Sequence, residues 1–548
     1  MNDSVNKRPL TTLDHQYKLL AKNTLFSIFQ SYGSYIFTII TSFLIARMIS
    51  REEWAFLILA TSIIGIFSLI INFLPPGLIF SLNFYIPRYR AKNKLLKLRN
   101  FVLKAFYMRM IITTVIFLIT ITIFSFFESV YNVFLNNHVV VLYILSPIII
   151  ISSLDTFFTA FLIGFNLFRI NFIFFIIKSV TQILPLFVFF FLFRAINIEI
   201  IALINLVSLI IPIILEFLIF ISKIPKIKSK DENGLNFKKI TKKVIGYGSF
   251  LRIESTLSGI WGEVQTQAIG IFESTKWVTG NNISRNYTNS STMFLNSLNN
   301  PLIYSLSSLD YKEKYDKIIK MFKTIFNYSL FTFLFITGIL FFVSDFFLSF
   351  VYSEIYVEFS SLLKLMLVSK TISIYPILFG ILLRTTNRIK IMAIITAIFF
   401  PLHISFVFIG LLNFGIYGIY FASIIINTVL LIGEFILTTK LLKFKLNINK
   451  IILQYTSFLI AIFLTILLGN LIFKDLSYQF WLNTNLLIFE HLNLLDLLTF
   501  VVVFFLLNRT FKIFTKSDIE YIEKLFTKDK ISHKYINKLL RFLKKFLR

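Results

Sequence analysis

Two consecutive apolar stretches carry polar side chains arranged in stripes that could grip an anionic cargo. In residues 245–271, Arg252, Thr256, Gly259, Glu263, Gln267 and Gly270 recur every three or four positions. In residues 277–308, Asn282, Arg285, Asn289, Thr292, Asn296 and Asn299 do the same. At about 100° per residue each set falls along one helix face. Arginine presents a planar fork of donors that matches phosphate oxygens two at a time, and side-chain amides suit hydroxyl-rich partners such as sugars. Lys370 adds a deep cation with no acid within one turn in sequence. The expected substrate-binding set is therefore Arg252, Arg285 and Lys370, with Asn282, Asn289, Asn296 and Gln267 beside them. Asp155, Glu254 and Glu263 are acids set within apolar stretches, candidates for coupling to an H+ or Na+ gradient, although Glu254 can equally pair with Arg252. Two arrangements fit the stripes: a packed polar seam between helices, or the wall of a hydrated cavity. They run nearly the whole length of both stretches, longer than a local seam requires, which favours the cavity.

No enzyme constellation accompanies them. The five His are scattered without metal-ligand spacing, and no Walker loop, nucleophile elbow or zinc-binding helix motif occurs. Cysteine is absent, which excludes disulfides and thiolate metal sites. No cofactor is expected.

The elements that position these residues follow from composition. The chain is 57% hydrophobic and only 15% charged, far from the balance of a soluble domain. We read fourteen apolar spans: 24–46, 54–74, 104–127, 139–163, 169–193, 197–222, 245–271, 277–308, 322–343, 358–382, 390–411, 414–439, 451–473 and 495–514. Helices of about twenty such residues cross the roughly 30 Å hydrocarbon layer and satisfy their own backbone hydrogen bonds there. The polar first 22 residues and the long run after them, lacking a small-residue cleavage site, read as a retained anchor.

Most of the 55 Lys and Arg fall in every second gap between spans, which marks those gaps as cytoplasmic and places both termini inside. Arg47, Arg51, Arg194, Lys276 and Lys474 occupy the opposite gaps, and Arg252, Arg285, Lys364 and Lys370 are the four cations we expect to be placed within spans. Charge inside a span is costly and points to function, although Lys364, near the outer end, is expected to snorkel to the headgroups. The net charge of +28 is spread over separate segments with no aromatic-interleaved basic platform. It therefore indicates anionic lipid rather than nucleic acid as a partner. In residues 515–548, Tyr535, Leu539, Phe542 and Phe546 alternate with basic residues as in an amphipathic surface helix.

The chain also repeats itself weakly. Ile49–Leu57 resembles Phe272–Gly280 with Trp54 matched to Trp277, and Leu162–Ile170 resembles Leu383–Ile391 with Asn166 matched to Asn387. Glu216-Phe217 matches Glu434-Phe435. We read both glutamates as reaching for basic loops rather than as proton sites. Six spans per unit gives two lobes of like orientation, related by an axis along the membrane normal. The expected organisation is a cytoplasmic N-terminus (1–23), an N-lobe (24–222), a basic linker (223–244), a C-lobe (245–442), two further spans (443–514) and a basic tail (515–548).

Ser42–Ile63 (SFLIARMISREEWAFLILATSI) resembles the first-to-second-helix segment of polysaccharide flippases, with its Ala-Arg-x-Leu-Ser-x-Glu-Glu-Tyr-Gly pattern. Ile49, Trp54 and Ala55 stand for the Leu, Tyr and Gly. Phe414–Ser423 (FGIYGIYFAS) is similar to the segment that opens that family's twelfth helix. The resemblance is to the Wzx-like, O-antigen branch of the multidrug/oligosaccharidyl-lipid/polysaccharide (MOP) exporter superfamily, over residues 20–515. It implies an all-α membrane protein of two pseudo-symmetric six-helix lobes around a central cleft, here with two extra C-terminal helices. It also implies a flippase, not an enzyme, that moves polyprenyl-diphosphate-linked oligosaccharide across the cytoplasmic membrane, alongside a glycan polymerase or glycosyltransferases. Two departures are notable. Span 1 carries Ser27, Ser31, Ser34, Thr38 and Thr41 where related lipid II flippases place arginines. It also lacks the acid frequent in the N-lobe of multidrug exporters. A drug exporter on the same fold, a membrane polymerase or glycosyltransferase, and an uncoupled scramblase are the rival readings.

Overall fold

The computed structural model describes residues 8–193, 196–225, 237–307, 315–372, 374–385, 389–441, 443, 446–473, 494–511 and 513. Linker residues 226–236, the 474–493 segment and the tail from 514 lie outside the described residues, and with them the amphipathic tail helix. Among the described residues the structure is helical, without strands. Its helices are α1 (Arg8–Met48), α2 (Arg51–Phe73), α3 (Leu78–Ala91), α4 (Leu95–Phe126), α5 (Glu128–Phe134), α6 (Val140–Leu145), α7 (Ile148–Gly164), α8 (Phe168–Phe193) and α9 (Ile198–Lys223). There follow α10 (Phe237–Phe272), α11 (Thr275–Ser307), α12 (Tyr315–Phe347), α13 (Ser360–Ile372), α14 (Ile374–Thr385), α15 (Ile389–Leu441), α16 (Ile448–Leu468) and α17 (Leu494–Thr510).

The expected spans fall largely on helix, and among the described residues ten helices are long and apolar enough to cross a membrane. The difference from fourteen has physical causes. Helices α10 and α11 are too polar, α17 has only 17 residues, and α15 joins two spans. At Gly415 the backbone turns to φ 61°, ψ −151°. A Cβ at Gly410 or at Gly418 would strike the other's backbone carbonyl, so bare glycines let the two halves of α15 touch. Large apolar side chains such as Ile111, Leu118, Phe191, Leu203, Leu412, Phe463 and Val502 remain exposed, as lipid contact requires and as soluble proteins avoid. This is a multi-pass membrane protein.

Local chemistry sets the helix ends. Ser50 caps α2: its Oγ accepts from Glu53 N–H at 3.2 Å, and Glu53 Oε2 accepts from Ser50 N–H at 2.9 Å. This reciprocal capping box explains the Ser-Arg-Glu-Glu pattern, and the acids of the first turn complement the helix dipole. Helix α3 arises in a segment we expected to be loop. Leu78, Leu82, Ile86 and Tyr89 are buried along one face, while Arg88 and Arg90 follow on its last turn. Being half apolar, it escapes a search for continuous apolar spans.

The chain divides into two compact units. The first comprises residues 1–286, 297–301 and 387–426. It is centred on Phe101, Phe157, Phe158, Phe161 and Phe220, with Ile240 and Val244 of α10 in the same core. The two matched segments meet here, where Thr279 Oγ1 donates to Arg51 O at 2.9 Å. The second unit comprises 287–296, 302–386 and 427–548. There Phe331, Phe335 and Phe342 of α12 pack on Phe504, Phe505 and Phe500 of α17 at ring separations of 5.2–5.8 Å. Lys364 does not snorkel: its Nζ lies 2.7 Å from Asp345 Oδ2, and Ser360 bonds the same carboxylate.

Candidate functional site

The predicted stripe on α10 faces α2. A Cβ at Gly259 would come within 3.0 Å of Leu69, and one at Gly270 within 2.6 Å of Leu59. Between these close approaches, Gln267 Nε2 donates to Leu59 O at 2.9 Å and Ser62 Oγ donates to Glu263 O at 3.0 Å. The Glu263 carboxyl lies against Gly65. Small residues that let two backbones approach, with polar groups bonded across the gap, make a helix seam of the kind found in membranes. In this arrangement Gln267 and Glu263 therefore belong to a packed seam rather than to a cavity wall. The side chains of Arg252, Glu254 and Asn296 lie outside the described residues.

Helix α11 brings its arginine onto the neighbouring face of α10. Arg285 Nη1 donates to Gly262 O at 3.3 Å, and a Cβ at Gly262 would come within 2.5 Å of Arg285 Nη2. The guanidinium thus lies flat on a backbone site that only glycine leaves open. Its charge acts on Glu263 and on Tyr420. Tyr420 donates to Asn281 Oδ1 and accepts from Gln265 Nε2 at 3.2 Å, with Tyr420 and Asn281 buried. On α11, Asn281, Ile283, Ser284, Tyr287, Thr288 and Ser291 are buried, whereas Asn282, Arg285 and Asn289 are half-buried. Of the other predicted polar positions Thr292 is buried, and the side chains of Asn296 and Asn299 lie outside the described residues.

Sequence reasoning missed Tyr420, Gln265 and Asn281. Tyr420 sits in the Phe414–Ser423 motif, the one signal that pointed to it. Asn281 and Gln265 lie beside the stripes rather than on them. Lys370 is half-buried in the last turn of α13 in the second unit.

Three charged residues need correction. Arg109 and Lys178 fall within the expected spans 104–127 and 169–193 but not among the four cations expected inside spans; they sit inside α4 and α8. Arg109 is fully buried and donates to Ile71 O at 2.6 Å, Leu74 O at 3.1 Å and Ser153 O at 3.3 Å, with Asn72 and Thr156 as further partners. It ties the end of α2 to α4 and α7 as a structural arginine. Lys178 Nζ lies 3.4 Å from Asp155 Oδ2. Glu216, expected to reach basic loops, is instead buried at 3% exposure beside that pair.

A family model described as polysaccharide biosynthesis protein matches residues 20–307. Among solved structures, an inward-facing multidrug resistance MATE family transporter of the MOP superfamily aligns with a TM-score of 0.59 at 13% identity, covering 74% of this chain and 94% of that one. A MATE protein in the straight conformation gives 0.56 at 12% identity, covering 78% and 96%. A mutant MATE transporter from Vibrio cholerae gives 0.52 at 14%, covering 79% and 98%. No curated protein sequence matches. At such identities the likeness is one of fold, and the fold is one on which transporters are built. The polar stripes, the two matched segments and the capped second helix fall within the matched region, and the chain belongs to the polysaccharide biosynthesis protein family, on the fold of the MOP exporter superfamily.

Proposed function

We propose that this protein is a flippase that carries polyprenyl-diphosphate-linked oligosaccharide from the cytoplasmic to the external leaflet by alternating access. The carrying observation is Arg285, a guanidinium laid on Gly262 in a polar, partly accessible helix face within the membrane. A charge at that depth is costly, so a cargo that needs it is the economical explanation. A diphosphate supplies paired oxygens for the fork, and the accessible amides of Asn282 and Asn289 suit sugar hydroxyls. Arg252, Asn296 and Lys370 complete the set proposed to line the path. The α2–α10 seam, small and hydrogen-bonded, would be the contact that opens and closes.

The basic loops support placement in the cytoplasmic membrane with both termini inside, in contact with anionic lipid. Glycosyltransferases or a glycan polymerase working on the same carrier are the proposed partners. The MATE likeness supports a drug exporter on the same fold as the second reading, against which the deep cations argue, because they repel cationic drugs. Flipping of a fluorescent polyprenyl-diphosphate-linked sugar in proteoliposomes distinguishes the two. The wild type is expected to flip it, and Arg285→Ala to lose at least about tenfold in rate, the 1.4 kcal/mol of a modest phosphate contact. Unchanged flipping by that variant, or transport of cationic dyes alone, would refute the assignment.

A further inference from the structure

Helices α7, α8 and α9 bring together a second group of ionisable side chains that the Arg285 site does not use. Asp155 on α7 and Lys178 on α8 form the 3.4 Å pair, with side chains 29% and 39% exposed. Glu216 on α9 is 3% exposed, and its Oε2 is buried with no hydrogen-bond partner among the described residues. On the same helix, Phe217 and Phe220 are in ring contact with each other and with Phe158 of α7 at 5.4–6.4 Å. The packed elements carry other charges. On α4, Arg109 is held by backbone carbonyls, and Lys97, Arg99 and Lys104 lie toward its N-terminus; Arg169 opens α8, and Arg51, Glu52 and Glu53 open α2. Lys223 at the end of α9 is exposed, and His138, Glu199 and Tyr143 lie toward the opposite end of α9. The charges that act on Glu216 are those of Asp155 and Lys178.

Two carboxylates therefore lie within electrostatic reach of one ammonium, which contacts only Asp155. While Lys178 is on Asp155, an ionised Glu216 would be a buried charge beside a second carboxylate. Burial without compensation is expensive enough that such a group takes a proton instead. Asp155 and Lys178 are partly exposed, and a proton leaving Glu216 would pass between them.

We propose that Asp155, Lys178 and Glu216 form a proton-exchange site in which Glu216 binds one proton while Lys178 pairs with Asp155. When Lys178 swings to Glu216, the Glu216 O–H bond breaks and the proton passes to water through the opening at Asp155. Asp155, left without its cation, is then hydrated. Water and hydronium are the only co-reactants. The site names H+ as the coupling ion of the proposed flippase and rests on that reading only in its transport test.

The full chain in vesicles gives the direct test by infrared difference spectroscopy between acid and alkaline pH. A protonated-carboxyl band that disappears on alkalinisation is expected in the wild type and absent from Glu216→Gln. Asp155→Asn removes the like charge and frees Lys178, so the band should vanish at lower pH. Lys178→Met removes the cation, so it should persist to higher pH. Those opposite shifts decide the matter even if Glu216→Gln fails to fold. No band in the wild type, an unchanged band in folded Glu216→Gln, or shifts in one direction would overturn the site. In the transport arm, an imposed pH gradient should speed flipping of the fluorescent lipid-linked sugar several-fold in the wild type and leave Glu216→Gln unaffected. Equal acceleration of both overturns it. Absence of any flipping by the wild type refutes the flippase reading, and the infrared result then stands on its own.

Discussion

Gly262 is the residue on which the guanidinium of Arg285 depends. A methyl group there would come within 2.5 Å of Nη2, and the atom that must yield is the tip of a long flexible side chain. Gly262→Ala should therefore fold normally, since alanine is favoured over glycine within a helix by about 0.5–1 kcal/mol. Displacing the donor fork should nevertheless lower flipping by about tenfold, or 1.4 kcal/mol. An unchanged unfolding midpoint in detergent together with a reduced rate would establish Gly262 as a positioning residue. The arginine itself was legible in sequence because a cation within an apolar run is conspicuous. Gly262 was not, because its role is to be absent where another helix's side chain arrives. Arg109 shows the reverse error. It stands near the start of the span 104–127, just past the basic run Lys97–Lys104, and only its burial among carbonyls reveals a structural role.

At the scale of helices, two contacts carry testable consequences. The close approach of Leu59 and Gly270 joins α2 to α10, and the chain has no native cysteine. A Leu59→Cys, Gly270→Cys pair is expected to cross-link on oxidation and to stop flipping, with activity restored by a reductant. Flipping by the cross-linked protein would show that the seam does not open. At Gly415 the positive φ of 61° costs an L-residue about 1–2 kcal/mol, and the Glu273 carboxylate lies 2.7 Å from where a Cβ would stand. Gly415→Ala should lower stability by at least that amount, read as a fall in the thermal midpoint. The helices themselves were visible in the chain because apolar runs of membrane length admit few other structures. Helix α3 was not, because an amphipathic segment between basic residues reads equally well as a loop. Periodicity fixes a helix face without saying what meets it, so part of the α10 stripe became a seam with α2, while on α11 Asn282, Arg285 and Asn289 stay partly accessible and Thr292 is buried.

For the molecule as a whole, the alternation of basic gaps predicts the topology. Single cysteines introduced at Lys92, Asn93 or Lys94, the exposed turn between α3 and α4, should react with a membrane-impermeant maleimide only after the cells are opened. Cysteines near Lys276 should react from outside. The opposite pattern would invert the protein in the membrane and with it the proposed direction of transport.

The sequence by itself determined that this is a multi-pass helical membrane protein, roughly where its apolar spans lie and some of the charges that are expensive there. These are local properties, set by hydropathy, capping and charge cost along a continuous chain. Only the tertiary structure decided which partner each charge met. Arg285 came to rest on Gly262, 23 residues away, Arg109 on the carbonyls of α2 and α7, and Asp155 on Lys178. Glu216 was drawn from an expected loop contact into a buried acid beside that pair. Such assignments depend on distances between segments far apart in the chain, and the period of a single helix carries no information about them.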